Sequence, residues 1–192
     1  MILDSEIWKN EIENQIKTLK SLLKNMSDGN IEDDNTIIIE LQKFTVFTAI
    51  IIRKLIEANK ISEELMGKNF SILKYNKNDK NLTILNGYEI ESLYDLNSEK
   101  MTSISLKNIS QNIIHSFHFI PFYHKNEINN SPLGFYLSSD FTKENEIYLI
   151  MLDQYLKILN EVIADFITYG EIANGKIVKQ SNNQSKNNEF YE

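Results

Sequence analysis

The sequence predicts an α+β fold: two long N-terminal helices, a small antiparallel sheet ending in a three-stranded meander, and a C-terminal helix packed on that sheet. Three observations predict it. Apolar residues recur at helical spacing through residues 4–60, three short aromatic-rich runs separated by turn residues follow at 117–151, and helical spacing returns after Asp153.

The first helix spans about 4–27. Trp8, Ile12, Ile16, Leu19, Leu23 and Met26 fall on one helical face, with Asp4 or Ser5 placed to cap the start. A polar turn over 28–35 leads to a second helix over about 36–60. It is apolar nearly all round in its middle, and Phe47 on its more apolar side is expected to be core. Ser62 caps a short helical turn that ends at Gly67. Residues 70–75 read as a strand, with 82–85 as its hairpin partner before the Asn86-Gly87 turn. A helix over about 104–115 starts at Ser103 or Ser105. The runs 117–123, 134–138 and 146–151 are the meander, and Pro121 marks the first as an edge or bulged strand. Asp153 caps a last helix over about 154–168, with Tyr155, Leu159, Val162, Phe166 and Tyr169 on its buried side. One domain therefore covers 1–175. The Asn/Gln/Ser/Lys-rich stretch 176–192 cannot bury a core and is expected to be a disordered tail.

Composition narrows the function classes. With no cysteine, thiolate metal sites, cysteine nucleophiles and redox switches are excluded. A formal net charge of −7 opposes bulk nucleic-acid binding, which needs Lys and Arg to displace phosphate counterions. The longest near-continuous apolar stretch, Phe44 to Ile52 interrupted by Thr45 and Thr48, is short of the roughly 20 residues that cross a bilayer. The acidic start Met1-Ile2-Leu3-Asp4-Ser5-Glu6 is unlike a secretory signal. A cytoplasmic protein with no membrane partner is the expectation. Arg53 is the only arginine, so at most one bidentate anion clamp can be built per chain.

The candidate site residues centre on the histidines, all within ten positions: His115, His118 and His124. Imidazole titrates near neutrality and is the commonest metal ligand. His118 and His124, an even number apart on a strand, could share a face as ligands, although no H-E-x-x-H pattern exists. His115, with Arg53 and Asp140, is the candidate catalytic group. The run Lys107-Asn108-Ile109-Ser110-Gln111-Asn112-Ile113-Ile114-His115 faintly resembles the catalytic helix of HEPN ribonucleases, in which a histidine follows an arginine. No arginine precedes His115 at that spacing, so the family is not assigned. No nucleophile elbow, Walker loop or dinucleotide fingerprint is present, and no cofactor is implied.

The function read from these residues is a non-enzymatic interaction or regulatory protein of bacterial or phage type, in an accessory, immunity or antitoxin-like role, whose partner is another protein. The alternatives are a small hydrolase or ribonuclease centred on His115, and a small-ligand binding module between the sheet and the second helix. The stripe on the first helix packs on the second helix. The remaining apolar surface of the second helix is what a homodimer through the N-terminal helices would cover.

Overall fold

The computed structural model describes residues 4–27, 34–83, 85–123, 131–167, 169–173 and 176–181. Helices α1 (Ser5–Ser27) and α2 (Asp34–Glu57) are followed by the short α3 (Glu63–Gly67) and strand β1 (Asn69–Asn76). Then come α4 (Ile90–Leu93), β2 (Lys100–Ser105) and α5 (Leu106–Ile114). The meander β3 (Ser116–Phe122), β4 (Gly134–Ser139) and β5 (Glu146–Met151) precedes α6 (Leu152–Ala164) and a terminal pair, β6 (Tyr169–Ala173) and β7 (Lys176–Ser181). The α+β architecture is as expected, with α6 packed on β4 and β5.

The main sheet is antiparallel, in the order β2-β1-β5-β4-β3. β3 is therefore an edge strand. It also carries a bulge between Ser116 and His118, and Pro121, which has no amide to donate, is tolerated because β3 pairs on one side only. The partners of β1 differ from expectation. It pairs with β2 and β5 rather than with 82–85. Thr102, Ile104 and their neighbours extend as β2, and the helix after them starts only at Leu106, where Ser105 Oγ accepts from the Asn108 amide at 3.3 Å. At the β4–β5 junction the backbones approach closely. A Cβ on Gly134 would sit 2.5 Å from the Ile150 carbonyl oxygen, so glycine is required.

Alternation along the strands divides the core in two. Phe70, Ile72, Ile104, Phe135, Leu137, Tyr148 and Ile150 face a layer made of α1, α2, α5 and α6. Tyr75, Tyr136, Ile147 and Leu149 face the opposite way. The segment 77–99 covers them, bringing Ile90, Leu93 and Tyr94. That segment is pinned by Asn78 N donating to Leu93 O at 2.7 Å and Asp95 N donating to Asn76 O at 2.9 Å.

Three further expectations are corrected. Phe47 is 40% exposed, because α2 turns Ile37, Leu41, Phe44, Thr45, Thr48, Ile51, Ile52 and Leu55 inward. The inward threonines are satisfied within the helix: Thr45 Oγ1 donates to Leu41 O at 2.7 Å and Thr48 Oγ1 to Phe44 O at 2.8 Å. α6 begins one residue before Asp153, with Met151 at the cap position, and ends at Ala164, which leaves Phe166 exposed. Lys176–Ser181 pairs with β6 where a polar tail was expected; residues 182–192 lie outside the described residues. α2 is also long and apolar enough, by length and composition over Asn35–Glu57, to cross a membrane. In this fold its inner side is central to the core.

Candidate functional site

α5 ends at Ile114 with His115 as its C-cap. His115 is exposed there, its ring edge-on to Phe141 with centroids 5.7 Å apart. Asp140 lies next to it through the backbone, its amide donating to His115 O at 3.1 Å. The Asp140 carboxylate is instead 2.7 Å from Lys143 Nζ, which also sits 4.0 Å over the Phe117 ring. Arg53 is not part of this group. It lies on α2 with its Nε 2.9 Å from Glu57 Oε1, and it lines a cleft of about 520 Å³ with Ile56, Lys107, Ser110 and Gln111. The three candidate catalytic residues are thus not assembled around one reacting position.

His118 is placed differently. The β3 bulge directs it to the sheet face covered by 77–99, where it is only 3% exposed. Its Nδ1 is 2.5 Å from Ser138 Oγ, and either atom can be the donor according to the tautomer. The Tyr94 hydroxyl is 3.4 Å away and donates instead to Lys143 O at 2.8 Å. Nε2 has no hydrogen bond of good geometry among the described residues. Burial holds the imidazole below its ordinary pKa of 6.5, the nearby Gly87 backbone opposes that shift, and Lys143 adds to it. A serine and a histidine at this distance have the spacing of a nucleophile and its base. Yet Ser138 is fully buried, so no substrate reaches its hydroxyl in this conformation. Among the described residues no three His, Asp or Glu side chains converge on a metal position. His124 lies outside the described residues.

A pH dependence follows from the buried ring. Because the folded pKa lies below 6.5, protonation favours the unfolded chain. The contribution is fully present above about pH 6.5 and is lost as the pH falls from there through the folded value. Thermal midpoints at pH 7.5, 6.5 and 5.5 should therefore fall more steeply for the native chain than for His118→Gln. Parallel curves would show that His118 does not titrate with unfolding. A separate acid loss comes from Glu146. Burial raises its pKa, but hydrogen bonds from Lys74 and Tyr148 outweigh this and hold it below 4.5. Its contribution is present above that value and disappears as the pH falls through the lowered one.

Two features lie apart from the candidate residues. One is a polar cavity of about 270 Å³ between β2 and α5, lined by Thr102, Ser103, Asn108, Gln111, Asn112 and Thr142 among others. The other is a groove of about 500 Å³ on the outer side of the helical layer. Its walls are Gln15, Thr18, Leu19 and Leu22 of α1 and Glu40, Lys43, Phe44, Val46, Phe47 and Ile50 of α2. Phe47 and Ile50 are 40% and 41% exposed, and Ile39 on the same helix is 49% exposed. The α1 stripe is used inside the chain: Ile12, Ile16 and Leu19 are buried against the core. Ile7 and Trp8 at the start of α1 stay exposed, Trp8 against the expectation for the stripe, and the free apolar surface beside the groove belongs to α2. The signal for this was its apolar circumference, which exceeds what one side of a core can absorb.

No family model, no curated protein and no solved structure matches the chain.

Proposed function

We propose that the chain is a protein-interaction module whose contact surface is the outer groove between α1 and α2, shaped to receive an amphipathic helix. The observation that carries this reading is the groove itself. A helix whose inner side is core presents Phe47 and Ile50 to solvent beside a long depression. Exposed contiguous apolar surface rimmed by polar groups is the usual mark of a docking site. A groove between two helices fits the helix-in-groove mode, in which anchors recur at steps of three and four. The rim suits that mode, with Gln15, Thr18, Glu40 and Lys43 along the edges. The same reading accommodates the regulatory or accessory role that the acidic chain suggests.

A photocrosslinking residue at position 47 tests it. Adducts to protein are expected from position 47 in cells producing the full chain. They are not expected from position 88, where Tyr88 is exposed on the opposite side of the sheet. Equal labelling from both positions, or no protein adduct from 47, would overturn the reading.

A further inference from the structure

Resting on that reading, we infer that the helix received in the groove is α2 of a second copy of this chain, in a two-fold dimer with the two α2 helices antiparallel.

The first argument is the spacing on α2. Thr36, Glu40, Lys43, Phe47, Ile50, Lys54 and Glu57 follow one another at alternating steps of four and three. Two helices can keep a seam in contact along such a 3.5-residue repeat; here its apolar centre is Phe47 and Ile50, with Thr36, Glu40 and Lys43 before it and Lys54 and Glu57 after it. Every one of these positions lies on the solvent side of α2, and Phe47 is at the middle of the series.

The second argument is charge. A chain at −7 repels its copy unless the contact avoids the acidic surface. Between Thr36 and Glu57 the ionic groups of α2 are Glu40, Lys43, Arg53, Lys54 and Glu57, two carboxylates against three cations. Their order also selects the direction. A parallel copy sets each charge against its own kind, Glu40 on Glu40 and Lys54 on Lys54. An antiparallel copy turned about Phe47 brings Glu40 level with the partner's Lys54, and Lys54 level with the partner's Glu40. The ion pairs they now make are exposed i,i+3 pairs, to Lys43 and Glu57. Such pairs hold weakly and exchange readily.

The third argument is area. α2 has 24 residues and α1 has 23. At 1.5 Å per residue the layer is about 35 Å long, and two helices give it a width of about 20 Å. That face offers roughly 700 Å² per subunit, close to the roughly 800 Å² per partner of a standard stable interface.

Light scattering over a micromolar concentration range reads the result. The mass should be twice 22.4 kDa. Phe47→Glu should give a folded monomer with unchanged circular dichroism, since Phe47 lies outside the core. Glu40→Lys alone and Lys54→Glu alone should each weaken the dimer about tenfold or more, and the double exchange should restore it. A mass of 22.4 kDa at every concentration overturns the dimer. A dimer indifferent to Phe47→Glu, or a double exchange no better than either single one, overturns this geometry. Co-sedimentation with phosphatidylcholine–phosphatidylglycerol vesicles in place of a dimer would assign the face to lipid and overturn the proposal. A monomer whose position 47 crosslinks to a different protein overturns self-association alone. A monomer without adducts overturns the interaction reading as well.

Discussion

Tyr155→Ala is expected to lower stability by about 3–5 kcal/mol, the range for deleting a large buried aromatic ring. At this chain length that is a fall in thermal midpoint of roughly 6–20 °C. Tyr155 has no exposed surface and joins three elements, α6, α2 and β4. Its ring meets Phe44 of α2 and Phe135 of β4 edge-on, with centroids 6.1 and 5.8 Å away. Its hydroxyl lies 2.8 Å from Thr48 Oγ1, and burial pushes the phenol pKa up, so it stays neutral. Tyr155→Phe removes only the hydroxyl and should cost about 1 kcal/mol. Chemical denaturation of both variants separates the ring from the hydroxyl. Equal losses would mean that the packing around the ring contributes little.

The second large effect is expected at Asp165, just beyond α6. Its carboxylate accepts from the Ser62 amide at 2.9 Å and from Ser62 Oγ at 2.5 Å, at the start of α3. Its backbone carbonyl accepts from the buried Lys9 Nζ of α1. Burial lowers the Lys9 pKa, and the Asp165 charge partly offsets that shift. Asp165→Ala would leave the Ser62 amide and hydroxyl without their acceptor and remove the charge that offsets burial of the Lys9 ammonium, whose bond to the backbone carbonyl remains, at a cost of about 1–3 kcal/mol. Lys9→Met removes the charge that needs compensation while keeping the apolar stem, and should cost clearly less. The asymmetry between the two variants in urea unfolding is the measurement. A larger loss from Lys9→Met would show that the ammonium, not the carboxylate, holds this corner together.

The candidate site was less legible than the fold. The close spacing of His115 and His118 is a sequence fact, but it does not carry over into a shared site. His115 caps a helix in solvent, while the bulge in β3 sends His118 under the 77–99 segment. One irregular residue separates the two environments, and no periodicity announces it. Ser138, the group that contacts His118, reads in sequence only as a turn residue at a strand end.

The sequence by itself determined the order and type of most elements. Helical repeats in α1, α5 and α6, the Ser62 cap, and the aromatic runs of the meander are local features, read over a few turns or one strand. It also determined that β3 is irregular, because a proline in a strand removes a ladder donor wherever the strand lies. The tertiary structure decided what depends on distant residues. β1 lies between β2 and β5, a choice made by long-range pairing that leaves no trace in the strand's own alternation. It also decided which side of α2 is core. Hydrophobicity alone favours burying Phe47, but Thr45 and Thr48 can turn inward because their hydroxyls bond back to the helix and, for Thr48, on to Tyr155. Once those threonines are satisfied inside, Phe47 and Ile50 face outward, since a helix apolar all round can give only one side to its own core.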